Sequence, residues 1–342
     1  MEILDLSSMV EDGLDSPFQS SPFPVTPGDV GILRSTILPS FALHSGLSIA
    51  AYVVSRATGR VEVKDLFWPS GQVINAWWSA VGRTMYYGNI SFNVAWNALS
   101  WTQKVLLGGV TAWGLRLFYH IASRSIARGR EDPRYEELKK QPGFWNRTFF
   151  TQFLPEAAFL TVITLSFTLP FRMPHTTVSL TPEQECLRRT LAVGLFSAGF
   201  ALEVLADVQL ESHREERTDL CREGVWSIVR HPNYLGDTLV HLSFPLLCST
   251  GPFHPATFLG PLANCIFLRH VGGDKENEAS QERRYKAEDP HKYEQLQEWR
   301  RTKHSFWPGL CELKNPWTWI IVGCGVVGVL VEETARVCFT TF

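Results

Sequence analysis

The chain has 342 residues, with 32 Lys and Arg against 34 Asp and Glu and a formal net charge of −2. That length allows one large or two ordinary domains, and the near-neutral balance argues against a nucleic-acid partner, which binds chiefly through excess basic charge. The mean hydropathy of −0.04 averages two materials: stretches free of Asp, Glu, Lys and Arg at 35–55, 84–103, 238–268 and 315–331 alternate with dense charged loops. A bilayer core needs roughly 20 apolar residues in a helix, and several stretches reach or approach that length. The 12 Trp and 22 Phe suit aromatic belts at two membrane interfaces. The 7 Cys are scattered, with no Cys-x-x-Cys and no Cys/His cluster, which excludes a structural zinc and a disulfide framework; no metal is expected.

In chain order, residues 1–30 are acidic and rich in Ser and Pro, including Pro17, Pro22, Pro24 and Pro27. They read as a disordered tail and lack the basic start and apolar run of a cleaved signal peptide. Membrane segments are expected at 35–55 and 66–82. The stretch 84–103 is charge-free but polar, with Asn89, Asn93 and Asn97 at a spacing that places three amides on one helix face. Such a stripe would join helices by hydrogen bonds or line a substrate cavity. Further segments follow at 105–123 with Arg116 inside it, at 148–171, and at 190–206, ending in Glu203 and Asp207. The window 238–268 is long enough for two passes, broken at Gly251-Pro252-Phe253-His254-Pro255 into a tight hairpin. The last segment is 315–331.

Three charged loops remain, at 124–147, 207–237 and 269–314. The first holds Arg124, Arg128, Arg130, Arg134, Lys139, Lys140 and Arg147. Crossing parity places all three loops on one face, and their basic residues make that face cytoplasmic. Arg56, Arg60 and Lys64 also point to the cytoplasm, and parity then fails if 66–82, 84–103 and 105–123 all cross. Either 84–103 lies on the interface or the N-terminal charges are overridden.

Polar residues concentrate between Leu202 and Asp237. Glu203 and Asp207 lead through a loop holding Arg214, Arg217 and Arg222 to Trp226 and then Arg230-His231-Pro232-Asn233-Tyr234-Leu235-Gly236-Asp237. Ionisable groups at a bilayer edge usually mark a functional site. The third loop adds Arg269, Asp274, Arg283, Arg284, Tyr285, His291 and Tyr293. Guanidinium forks suit phosphate oxygens and aromatic rings suit a nicotinamide or adenine face, so a nucleotide cofactor is the natural guest. No Gly-x-Gly-x-x-Gly after a strand and no Walker motif is present. His213 and His241 read as structural.

With Trp113-Gly114-Leu115-Arg116-Leu117, Glu131-Asp132-Pro133-Arg134-Tyr135, Ala206-Asp207-Val208-Gln209 and Gly224-Val225-Trp226 leading into the Arg230–Asp237 run, the chain over roughly 60–310 resembles the integral membrane reductases with a steroid 5-alpha-reductase C-terminal domain. The run Asn233-Tyr234-Leu235-Gly236-Asp237 also resembles the sterol reductases that saturate ring double bonds. The resemblance implies an all-α, polytopic integral membrane helical bundle of about seven to nine segments. It divides the chain into the tail 1–30, N-terminal membrane helices 31–123 and a reductase-like domain 124–342, with NADPH held on the cytoplasmic side in the endoplasmic reticulum. Carried over, Arg214, Trp226, Asn233 and Tyr234 match cofactor positions; Asp274, Arg284, Tyr285 and Tyr293 match more loosely because the third loop is longer. Asp207, Arg230 and His231 complete the expected set. Tyr234 or Asp237 is the expected proton donor, with Tyr86 and Tyr87 as alternatives. Two departures are Leu210, where sterol reductases carry a basic residue, and a shortened loop between Arg214 and Trp226. The implied substrate is a hydrophobic lipid, steroid-like compound or secondary metabolite. Isoprenylcysteine carboxyl methyltransferases, which bind S-adenosylmethionine, share the Arg-His-Pro-x-Tyr element, and a non-catalytic membrane scaffold is the third reading.

Overall fold

A computed structural model describes residues 30–172, 180–216, 219–248 and 255–340. The expected tail (Val30 apart), Arg217 and the expected turn at Gly251–His254 fall outside them. Among the described residues the chain is helical, with no strand.

Helix α1 covers Leu33–Thr58. Helix α2, Val63–Trp77, continues through a wide turn at Trp78–Gly82 into Arg83–Gly88. Asn89 then takes a left-handed conformation, φ 47°, which Asn tolerates and a helix interior does not. The chain makes only a six-residue helix, α3, at Phe92–Asn97. The expected amide stripe of Asn89, Asn93 and Asn97 is therefore corrected: a helix break at Asn89 removes their common face.

Helix α4, Trp101–Arg128, starts at a capping box in which the Ser100 hydroxyl accepts from Gln103 N at 3.2 Å and the Gln103 amide oxygen accepts from Ser100 N at 2.9 Å. It runs unbroken across position 123/124, so the expected domain boundary lies inside a helix. After the short α5 (Pro133–Lys139), α6 runs Phe144–Ile163 and bends by 41° into Leu165–Phe171. Then come α7 (Pro182–Glu216), α8 (Pro232–Cys248), α9 (Leu259–Ile266), α10 (Asp274–Glu288), α11 (Pro290–Thr302) and α12 (Pro316–Thr340).

Long-range hydrogen bonds give the direction of each rod. At one end, Arg60 donates to Ser125 O at 3.0 Å, the Tyr52 hydroxyl to Trp145 O at 2.7 Å, and Asn315 to the Ser227 hydroxyl at 2.9 Å. At the other, Trp101 Nε1 donates to Glu332 at 2.6 Å and Arg172 to Ser35 O at 2.8 Å. The segments 59–65, 124–147, 219–231 and 272–315 thus gather at one end, the loop end.

Burial is inverted relative to a water-soluble chain. His44, Gln72, Asn75, His241 and Asn264 are at most 1% exposed, whereas Ile49, Val53, Leu115, Val326, Leu330 and Val331 face outward. Among the described residues three helices are long and apolar enough to cross a membrane, or four with the bent α6 pair. Helices α7 and α8 approach backbone to backbone: a Cβ on Gly199 would lie 2.7 Å from Gly236 O, and one on Gly236 2.6 Å from Gly199 O. Only small residues permit such a crossing, and it sets Glu203, one turn beyond Gly199, against Asp237.

Candidate functional site

Three helices present polar stripes to one another. On α4, Trp113, Arg116, His120 and Arg124 recur at helical spacing on one face; on α7, Glu203, Asp207 and Arg214; on α8, Tyr234, Asp237 and His241. Arg116 locks the first two stripes. It donates to Glu203 Oε1 at 2.6 Å and to Glu203 O at 3.2 Å, and pairs with Asp207. His120 lies 3.6 Å from Asp207. Deeper, Asn264 of α9 donates to Asp237 Oδ2 at 2.9 Å, and His241 Nε2 faces Gln72 Oε1 of α2 at 3.2 Å. His241 Nδ1 is 3.4 Å from Asp237 Oδ1, so this histidine, read from sequence as structural, lies in the seam. Asp237 Oδ1, Thr238 Oγ1 and Asn264 Oδ1 are buried without hydrogen-bond partners, while the Trp113 indole N–H serves the Glu203 carboxylate. Orphaned polar atoms at such density are unusual in a folded interior and mark a place built to meet a further polar group. The seam is filled by its own ion pairs. The hollows at His44, Lys64 and Glu156 and at Trp101, Cys186 and Arg336 are lined by other residues.

At the loop end the stripes open into a basic rim. Arg214 lies within electrostatic reach of Arg124 on α4 and of Arg284 and Tyr285 on α10. Arg124 and Arg214 have no hydrogen-bond or ion-pair partner among the described residues, and Arg284 donates only to the Tyr285 hydroxyl, at 3.3 Å, with its guanidinium 5.0 Å from that ring. Tyr234 feels the charges of Arg124, Arg134 and Asp207. Its ring stacks on His231 at 5.4 Å, and its hydroxyl accepts from Asn277 at 3.4 Å. The buried Asn233 Oδ1 has no partner. Arg124, Arg214 and Arg284 bring positive charge together near Tyr234 and Tyr285, a chemistry that suits phosphate oxygens.

Glu278 anchors this rim. It accepts from Arg230 Nε at 2.9 Å, His231 Nε2 at 2.9 Å and Arg300 Nε at 3.0 Å. Burial pushes the Glu278 carboxyl up, but the hydrogen bonds and charges of His231 and Arg230 outweigh burial and hold it at about 2. Burial pushes the His231 imidazole down, only partly opposed by Glu278. The backbone N–H groups of Arg230 and His231 donate to the carbonyls of His304 and Ser305, both at 3.0 Å. Arg230 and His231 are thus fixed by α10 and by the segment that follows α11, and His231 backs Tyr234.

The other expected residues separate into groups. Trp226 does not join the rim: its indole N–H donates to Ala206 O at 2.9 Å and its ring packs 6.4 Å from Trp299 in the core. Asp274 is 1% exposed at the start of α10, paired with Arg269 and accepting from the Ser305 hydroxyl at 2.5 Å. Tyr293 lies half-buried on α11, its N–H bonded to Asp289 O. Tyr86 and Tyr87 are 73% and 62% exposed at the end of the bundle away from Tyr234, which corrects their expectation as alternative proton donors. The structure adds Arg124, His120, Asn264 and Glu278 to this region; the spacing of Trp113, Arg116, His120 and Arg124 carries the sequence signal for two of them.

Several conspicuous motifs are structural. Gln209 Oε1 accepts from Val225 N at 2.8 Å, packed against Gly224, whose φ of 63° suits glycine. Glu131 accepts from Val61 N at 2.8 Å and Glu62 N at 3.2 Å, and Tyr135 donates to Asp65 at 2.7 Å. The Glu131–Tyr135 motif therefore staples the α1–α2 turn to the end of α4. Within it, burial raises the Asp132 carboxyl, but Arg134 and then Arg128 bring it down to about 2. Among the described residues no His, Cys, Asp and Glu cluster could hold a metal.

A family model described as protein of unknown function (DUF1295) matches residues 51–299. No curated protein and no solved structure matches the chain.

Proposed function

The chain belongs to the DUF1295 family, a steroid 5-alpha-reductase-like membrane family with no named activity, and from that premise we propose that it is an NADPH-dependent reductase of a carbon–carbon double bond in a hydrophobic lipid, steroid-like compound or secondary metabolite. One observation carries the reading: Arg124, Arg214 and Arg284, none of them in an ion pair among the described residues, lie with Tyr234 and Tyr285 at the loop end of the seam that holds Glu203 and Asp237. The rim fits a cofactor with phosphate groups on one part and a planar ring on another.

When bound, NADPH supplies hydride to one carbon of a polarised double bond. The chain does the rest. Arg124, Arg214 and Arg284 would hold the cofactor's phosphate oxygens. Tyr234, backed by His231, offers a ring face, and the Asn233 amide oxygen offers an acceptor. Asp237, one turn deeper than Tyr234, is placed to deliver a proton to the second carbon through Oδ1, while Asn264 holds Oδ2. The apolar exterior and buried floor exclude water from the reacting carbons.

In this reading eight rods cross the membrane: α1, α2 with its continuation, α4, the bent α6 pair, α7, α8, the segment 255–271 and α12. The basic loop end faces the cytoplasm of an endoplasmic reticulum membrane. A methyltransferase reading is disfavoured by the same rim, because S-adenosylmethionine carries no phosphate and its sulfonium would meet like charge.

Thermal shift of the full-length protein in detergent tests the choice, since a ligand of the native state raises the melting temperature. NADPH is expected to raise it and S-adenosylmethionine is not; the reverse result overturns the proposal. Asp237→Asn is expected to keep NADPH binding and lose double-bond reduction in a lipid extract followed by mass spectrometry. NADPH binding without turnover on a broad lipid panel favours the scaffold.

A further inference from the structure

The far end of the bundle holds a second cationic group that the reductase reading leaves unused. Arg172 directly follows Phe171 and is 4% exposed. Its guanidinium donates to the carbonyls of Ser35 at 2.8 Å and Thr36 at 3.0 Å and to the Ser79 hydroxyl at 2.8 Å. All three acceptors are neutral, and the buried Nε has none. Arg83 stands one turn beyond Ser79 on the continuation of α2, its guanidinium 5.9 Å from the Tyr87 ring. No described carboxylate acts on either arginine; Arg172 feels the charges of Arg83 and Tyr87, and Arg83 that of Tyr87. Burial, and then the charge of Arg83, hold the Arg172 guanidinium down at about 10.

A buried guanidinium without a counter-charge is costly, and a second one beside it adds repulsion. The sequence at 173–179, Met-Pro-His-Thr-Thr-Val-Ser, supplies no Asp or Glu. Neither the described residues nor 173–179 supply the missing negative charge. The surroundings suit a lipid headgroup: Trp78 and Tyr86 lie 6.2 Å apart and Tyr86 and Tyr87 5.1 Å apart, and exposed aromatic rings at a helix end mark headgroup depth. Arginine is the side chain best matched to phosphate oxygens.

We propose that Arg172 and Arg83, with the hydroxyl of Ser79, form a binding site for a phosphate-bearing anion, supplied by an acidic phospholipid of the leaflet away from the charged loops. Arg172 forms the buried wall and Arg83 the open one.

The test uses the full-length protein in nanodiscs of phosphatidylcholine, with and without phosphatidylglycerol, and in detergent with and without inorganic phosphate. Native mass spectrometry reads retained lipid and a thermal melt reads stability. The wild type is expected to retain phosphatidylglycerol selectively and to melt higher with it. Arg83→Gln is expected to lose both effects while melting normally in phosphatidylcholine; Arg172→Lys, which keeps the charge but not the fork, is the second variant. Equal stabilisation by inorganic phosphate alone supports the anion site and assigns it a soluble source. Phosphatidylcholine and phosphatidylglycerol retained equally by the wild type, or phosphatidylglycerol retained undiminished by both variants, overturns the proposal.

Discussion

Arg214 and Arg284 illustrate how little a single side chain reveals before its neighbours are known. Each is exposed, yet together with Arg124 they make a field that no one of them makes alone. A charge-assisted hydrogen bond contributes about 1.5–3 kcal/mol, so Arg214→Ala or Arg284→Ala should weaken NADPH binding by roughly ten- to a hundredfold, read by fluorescence titration. The loss should shrink as salt rises, because exposed charges are screened. An unchanged dissociation constant in both variants would remove the rim from the cofactor site.

Glu278 and Asp132 give the same scale a pH signature. Both carboxyls are held near 2, below the ordinary values of 4.5 and 3.8. A depressed carboxylate stabilises the fold above its unfolded value, and that contribution is lost as the pH falls through the folded one. Melting temperatures should therefore decline from about pH 4.5 towards 2, and Glu278→Gln should start lower at neutral pH and decline less steeply. Parallel curves would show that the Glu278 hub does not stabilise the loop end.

Among the helices, the decisive feature is the α7–α8 crossing. A methyl group at Gly199 or Gly236 has no room, and overpacking of this kind costs about 1–3 kcal/mol. Gly236→Ala should lower the melting temperature, and it should also lower turnover more than NADPH binding, because the rim lies a turn or more from the displaced floor. A variant that melts and turns over like the parent would show that the helices part easily. The separation of turnover from binding distinguishes this effect from general unfolding.

At the level of the whole molecule, the two ends are distinguishable through native cysteines. Cys311 is exposed in the loop-end turn and Cys186 is exposed near the start of α7 at the far end. In sealed vesicles, a membrane-impermeant maleimide should label chains retaining only Cys311 from one side and chains retaining only Cys186 from the other. Labelling of both from one side would refute the arrangement of crossings.

Much of this architecture was legible in the sequence. Charge-free stretches and basic loops declared an all-helical bundle with one charged face, because both depend on local composition. The break at Asn89 was not legible, since periodicity cannot report a single left-handed residue. Trp226 looked like a cofactor ring because aromatic residues beside arginines invite that reading; only the tertiary fold engages its N–H with Ala206. Arg124 was counted as loop charge although it shares a helix face with Arg116, because the partner face on α7 could not be located without the fold.

The backbone contact between Gly199 and Gly236 has a further implication for how this protein could acquire new specificity. Two helices pressed together without side chains between them can neither rotate nor slide, so the carboxylate floor they carry is effectively immovable. The opposite walls carry Asn264 on α9, whose amide bonds Asp237, and Gln72 on α2, which meets the floor only through His241. Divergence toward differently shaped guests should accumulate on that softer half, while the reacting geometry stays where the glycines fix it.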